Sequence, residues 1–370
     1  MHNLAFTHCV SPPLPLLGGE FMHNLAFAHC LNPPLPLLGG EFMHNLAFTH
    51  CLSPPLPLQG GEFIHNLAFT INNLQLINML TINNLSKTYP NGVQALKNIS
   101  LNIPNGLFGL LGPNGAGKSS LMRTIATLQD ADSGTITLDN INVSTNKDAM
   151  RQVLGYLPQE FGVYPTVSAE ELLDHIAILK GVTNNAQRKE VVTTLLKQTN
   201  LFDHRKKSLG GFSGGMKQRF GIAQALLGNP KIIIVDEPTA GLDPTERNRF
   251  LNLLSEISET VVVILSTHIV EDVRELCPNM AIINKGEVMF TGTPQAALAK
   301  LHGKVWKAIL PKHEAKQISE QYKVISTKFN TGNIEIHILS NDVPNNAAFE
   351  AVEPELEDVY FAVINKLIAD

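Results

Sequence analysis

Gly112, Pro113, Asn114, Gly115, Ala116, Gly117, Lys118 and Ser119 run together as G-x-x-x-x-G-K-[ST], a spacing whose chemistry is phosphate binding. Glycines let a backbone approach phosphates closely and turn its N–H groups inward, while a helix starting at the loop presents its positive end to the same anion. Lys118 would then reach the β- and γ-phosphates, and the Ser119 hydroxyl would ligate Mg2+. A second chemical cluster lies downstream, where Ile232-Ile-Ile-Val235 is followed at once by Asp236 and Glu237. That pattern reads as a buried strand delivering two carboxylates at its C-terminal end, the edge of an open α/β sheet where ligands sit. Asp236 is placed to help hold Mg2+ through water, and Glu237 to orient and polarise an attacking water. Taken alone, the pair also fits a strand end with two solvated acids.

The phosphate loop needs a strand before it and a helix after it. The apolar run Leu107 to Leu111 supplies the first, and the spacing of Leu121, Ile125 and Leu128 the second. Alternation in Ile99, Leu101 and Ile103 predicts a strand, as does Thr135 to Leu138 after the Ser133-Gly134 turn. Helical spacing appears in Leu172, Leu173, Ile176 and Leu179 and again in Val191, Val192, Leu195 and Leu196, with a break around Gly181 to Gln187. Val261 to Leu265 predicts a further strand. In Phe212-Ser-Gly-Gly-Met-Lys-Gln-Arg219, the residues Ser213, Gly214 and Gly215 open a helix running through Ile222, Ala225 and Leu226. A helix start with small residues and free N–H groups is an anion site. Lys217 and Arg219 fit a solvated helix face at least as well as a phosphate contact.

Together these motifs resemble the ATP-binding subunit of ABC transporters, over about Leu80 to Thr293. The resemblance implies an α/β phosphate-loop ATPase with a mixed sheet core, an antiparallel β subdomain and a helical subdomain. It makes Phe212 to Arg219 the family's signature motif, which clamps the γ-phosphate of a nucleotide bound to the opposite subunit. The commonest form is LSGGQ; here Phe212 replaces Leu and Met216 replaces Gln, while the Ser-Gly-Gly core is kept. Carried over residue by residue, Gln159 matches the glutamine that touches Mg2+ and water and senses the membrane partner. Asp243 matches a loop aspartate that crosses the dimer interface, His268 the histidine that contacts the γ-phosphate, and Tyr89 the aromatic that stacks on adenine. The implied ATP-binding set is therefore Tyr89, Gly112 through Ser120, Ser213, Gly214, Gly215 and Asp243. Glu237, His268, Gln159 and Lys118 form the catalytic set, and Ser119, Gln159 and Asp236 the Mg2+ set. One loop and one signature motif per chain imply two ATP molecules sandwiched head-to-tail in a dimer, with a second copy or a related ATPase subunit.

The formal net charge of −5 excludes a nucleic-acid binder that works through a broad basic surface. No apolar stretch approaches the ~18 residues of a membrane-spanning helix, so a membrane role would come through a separate permease, with the ATPase peripheral on the cytoplasmic face. The segment from Phe161 to Gly181 is the expected permease contact, on family resemblance. Cys9, Cys30 and Cys51 sit in the N-terminal region and leave Cys277 alone elsewhere, which suits a reducing compartment and is no disulfide framework.

Residues 1 to 63 are near-copies of one unit starting at Met1, Met22 and Met43, with a partial fourth from Ile64. Each is broken by Pro-Pro-Leu-Pro and closed by Gly-Gly, too interrupted to stack as a solenoid. The first basic residue is Lys87, so neither a secretory nor a transit peptide fits. Residues 1–78 are expected to stand outside the fold, with the working protein starting at Met79; 79–299 would be the ATP-binding domain and 300–370 a small α+β appendage. In that tail, strands are expected at Val305 to Leu310, Tyr322 to Phe329 and around Ile334, Ile336 and Ile338, with helices at His313 to Gln321 and from Leu356 towards Leu367. Such tails resemble those of bacterial drug- and lipid-type exporter ATPases, which implies export. The alternative is an ABC-type ATPase unconnected with transport, but the second ATPase domain or coiled-coil insertion typical of that class is missing from the motif pattern.

Overall fold

Apolar residues recurring at every second position build the first sheet. In the computed structural model, which describes residues 79–368 apart from 160, 161 and 163, β1 (Met79–Thr88) and β2 (Gln94–Pro104) pair antiparallel. β4 (Ser133–Leu138) and the two-residue β5 (Ile141–Asn142) extend them in the order β2-β1-β4-β5. Leu80, Ile82, Ile99, Leu101, Ile103, Ile136 and Leu138 all point into one core, as alternation dictates for a sheet solvated on one face. The expectations placed on residues 1–78 lie outside the described residues, as does Phe161.

Continuous apolar runs instead build the central sheet. Its parallel strands are β3 (Gly106–Leu111), β6 (Leu154–Leu157), β7 (Ile232–Asp236), β8 (Val262–Thr267) and β9 (Asn279–Asn284), with β10 (Glu287–Gly292) antiparallel at one edge. The order is β10-β9-β3-β8-β7-β6. Every residue of β7 and β8 is buried, because both faces of the sheet are covered. Ile233, Val235, Val263 and Leu265 enter one core, while Ile232, Ile234, Val262 and Ile264 enter the other. Register then decides the site. Leu111 lies opposite Thr267, Ser266 opposite Asp236 and Val235 opposite Leu157, so the segments after β3, β8, β7 and β6 all leave one sheet edge together.

Helix α1 (Lys118–Ile125) follows the loop after β3 and buries Leu121, Met122 and Ile125; α2 (Lys147–Val153) leads into β6. Helices α3 (Ala169–Leu179), α4 (Asn185–Gln198) and α5 (Gly214–Ala225) share a separate core of Leu173, Ala177, Val192, Leu196, Phe220 and Ala223. A capping box of Ser168 and Glu171 starts α3. The break before α4 is shorter than the sequence suggests, since the Asn184 side chain accepts from Gln187 N and begins the helix at Asn185. Helices α6 (Pro244–Ser258), α7 (Val270–Leu276) and α8 (Pro294–Ala299) complete the ATPase-like body.

The remaining residues form a third sheet, ordered β12-β13-β11-β14 from β11 (Val305–Leu310), β12 (Lys323–Asn330), β13 (Asn333–Leu339) and β14 (Glu350–Ala351). Helix α9 (Lys312–Gln321) packs Ile318 with Ala308, Leu310, Ile336 and Ile338. Helix α10 (Leu356–Ile364) does something the stripe alone does not reveal: Leu356, Val359 and Val363 join one core with Val305 and Ile325 of this sheet and with Met280, Ile282 and Phe290 of β9 and β10. It ends at Ile364, short of the expected Leu367. Trp306 packs inside the tail and donates from Nε1 to Ser340 O at 3.2 Å. No helix among the described residues is long and apolar enough to cross a membrane.

Candidate functional site

The loop between β3 and α1 is held by close backbone approach. Gly117, which caps α1, has φ 109, and a Cβ there would lie 2.5 Å from the Ala95 carbonyl oxygen. A Cβ on Gly112 would lie 2.3 Å from the Ile283 carbonyl oxygen. Lys118 folds back over this loop, its Nζ donating to Gly112 O at 2.6 Å and to Pro113 O at 3.3 Å, with Glu237 Oε1 at 3.8 Å. Burial pushes the Lys118 ammonium below its ordinary pKa, against the pull of Glu237 and Asp236. A cavity of about 560 Å3 opens above the loop, lined by Pro113, Asn114, Gly115, Ala116, Gly117, Lys118, Ser119 and Ser120 together with Tyr89, Gln159 and Glu237. Tyr89 is anchored there by its hydroxyl, 3.0 Å from Ser120 Oγ and donating to Gln129 Oε1 at 3.0 Å. Lys97 and Lys285 also line the cavity, two cations that no local motif marks.

At the end of β7 the chain turns at Glu237 with φ 47, a conformation uncommon for a residue with a side chain. Its N–H donates to Ser266 O at 2.9 Å, and its carboxylate, 11% exposed, points back between Lys118 and His268. His268 Nδ1 lies 2.9 Å from Glu237 Oε2, but its half-exposed side chain lines a separate cavity with Arg274 and Tyr360, so Glu237 alone links it to the phosphate loop. Asp236 is buried, and its Oδ1 has no partner. Burial raises its carboxyl above the ordinary range, and Glu237 adds to this, while the Ser266 and Ser119 hydroxyls and Lys118 oppose it. Asp236 does not itself line the cavity, but its orphaned oxygen and the Ser119 hydroxyl beside it, with the Gln159 amide on the cavity wall, are the hard oxygen donors that Mg2+ favours.

A second group stands elsewhere. Ser213 caps α5 by accepting from Met216 N at 3.2 Å, and Asp243 caps α6 by accepting from Glu246 N at 2.9 Å. Ser213, Gly214 and Asp243 are exposed, and none of Ser213, Gly214, Gly215 and Asp243 lines the cavity. Arg219 follows neither sequence reading: it is turned inward, with Glu246 at 3.3 Å and donations to Gly215 O and Asn200 O.

A family model described as ABC transporter matches residues 96–240. The linearmycin resistance ATP-binding protein of Bacillus subtilis (strain 168) is 37% identical over 227 residues, which is 61% of this chain and 72% of that protein. The methionine import ATP-binding protein of Helicobacter hepaticus (strain ATCC 51449 / 3B1) is 33% identical over 267 residues, 67% of this chain and 75% of that one. Among solved structures, a dimeric ATP-binding cassette in a post-hydrolysis state bound to ADP and Pi aligns with TM-score 0.53 and 29% identity, over 58% of this chain and 98% of its own.

Proposed function

The chain belongs to the family of ABC transporter ATP-binding proteins, and from that membership we propose that it powers export through a separate permease from the cytoplasmic face of the membrane. Its activity is ATP hydrolysis linked to transport. The observation that carries the reading is the division of the site. The cavity residues Lys118, Gln159 and Glu237 converge, whereas Ser213, Gly214 and Asp243 face solvent elsewhere on the same chain. A second subunit presenting those exposed residues would finish the pocket, so each ATP is held between the loop of one chain and the signature helix of another. A solved relative is a dimer, which supports this arrangement.

In this reading the loop N–H groups and Lys118 bind the triphosphate and Tyr89 receives the adenine. Glu237 accepts a proton from the attacking water, and His268, hydrogen-bonded to Glu237, holds the γ-phosphate end. Ser119, Gln159 and Asp236 would hold Mg2+, which when bound neutralises phosphate charge. Closure lasts while ATP bridges the chains and ends after hydrolysis, a differential affinity that can drive a permease between two states. Export over import rests on the tail, on Phe212 and Met216, and on the resistance relative. Residues 79–299 then act as the ATPase and 300–370 as its docked appendage. The test is ATPase rate per molecule on dilution: a fall is expected, and a constant rate from a strict monomer refutes the composite site. Identification of the membrane protein that co-purifies tests the permease, and an import system among the partners refutes export.

A further inference from the structure

The two halves of the composite site belong to different nucleotides, yet one helix turn touches the elements that carry both. The first turn of α6 holds Asp243, Glu246 and Arg247. On one side, Glu246 Oε2 lies 3.3 Å from the Arg219 guanidinium, while its Oε1 accepts from Arg249 at 2.8 Å. Arg219 also donates from Nε to Gly215 O at 3.4 Å, so it grips the first turn of the signature helix α5. On the other side, Arg247 donates from Nε to Asp272 Oδ1 at 2.8 Å and from its terminal nitrogen to the same oxygen. Asp272 is 0% exposed, and its second oxygen accepts from Thr239 Oγ1 at 2.8 Å. Thr239 lies in the segment joining Glu237 to Asp243, and Asp272 sits in α7, one turn beyond His268.

A fully buried carboxylate is costly, and replacing such an ion pair with apolar residues is often neutral or stabilising. Stability alone therefore does not call for Asp272 and Arg247. What the pairs supply is fixed neighbours: Arg247 sets two donors on one buried Asp272 oxygen, while Arg219 and Glu246 face each other as an ion pair. We propose that Arg219–Glu246 and Arg247–Asp272 form a two-sided clamp on the first turn of α6. It locks the signature helix, which meets the partner's nucleotide, to α7, which begins two residues after the His268 that meets the chain's own. Asp272 and Glu246 are thus positioning residues that make the two half-sites of one chain move as a unit. The inference rests on the roles proposed above for Glu237, His268, Asp243 and the signature residues.

The test uses the full chain with Asp272→Asn, Glu246→Gln and the double variant. Expected is a kcat loss of about tenfold or more in each single variant, since an ångström of misplacement can cost about a hundredfold. ATP affinity and KM should stay within about twofold, because neither residue lines the cavity. The double variant should be no worse than the worse single variant, because a clamp broken on one side is already broken. Unchanged kcat in either single variant, or losses that multiply in the double variant, overturn the proposal. Should Asp272→Asn fail to fold, Thr239→Val removes a contact of the same carboxylate with little change of shape and enters the same cycle. Glu237→Gln serves as the control: if that variant keeps full turnover, the reading of the active site has failed and not the clamp.

Discussion

Substituting Glu237 by Gln separates binding from chemistry, because the amide preserves the shape of the carboxylate between Lys118 and His268. Hydrogen bonding to His268 Nδ1, now 2.9 Å from Oε2, can continue; the negative charge cannot. With Lys118 Nζ 3.8 Å from Oε1, the gross attraction lost is about 4 kcal/mol at an effective dielectric of about 20. Much of it is offset by the burial that already presses Lys118 towards its neutral form. An ammonium relieved of its internal partner is available to the triphosphate, so affinity for ATP should hold or tighten. The chemical step loses proton acceptance by the carboxylate, a contribution of about 10²–10⁴ in rate or roughly 3–5 kcal/mol of barrier. Single-turnover phosphate release, nucleotide titration and size-exclusion chromatography with ATP report the three consequences: slow cleavage, intact binding and accumulated closed dimer. Turnover within threefold of the parent, or ATP affinity weakened more than tenfold, would refute the assignment.

Burial lowers the Lys118 pKa below 10.5, so in the window up to that value the unfolded chain binds more protons than the folded one. Stability of the nucleotide-free protein should therefore gain a rising component as pH climbs towards 10.5, and Lys118→Met should flatten it in urea titrations while also weakening ATP binding. The Cys277 thiol, 4% exposed and pushed up to about 12 by burial, should resist alkylation at pH 8 until the protein unfolds, as peptide mapping would reveal. Gly215→Ala places a Cβ 2.4 Å from Glu246 Oε2, a group already held by Arg219 and Arg249. A stability loss of about 1–3 kcal/mol is expected, with kcat falling more than ATP affinity; thermal melts and ATP titrations check both.

How much was legible in the sequence follows from the range of the forces involved. The phosphate loop, the Ile232–Val235 strand with its terminal carboxylates, and the Ser213 helix start are each set by neighbours a few residues away, so spacing and residue type suffice. Even the tail strands follow their alternation, with β11 spanning the expected Val305 to Leu310. Lys97 and Lys285 reach the cavity from separate strands and turns, and nothing in their own surroundings announces it. In the sequence Arg219 fits either a solvated helix face or a phosphate contact, because its actual partner, Glu246, comes from another helix. Helix α10 was readable as a stripe, but its burial against Met280 and Phe290 depends on the shape of a core assembled elsewhere. By itself the order of residues determined which groups could do chemistry and the local backbone that presents them. Tertiary structure decided that Gln159, Lys118, Glu237 and His268 meet at one sheet edge while Ser213 and Asp243 do not. Strand register and helix packing bring together groups far apart in the chain, and those contacts are paid for by apolar burial spread over the whole domain.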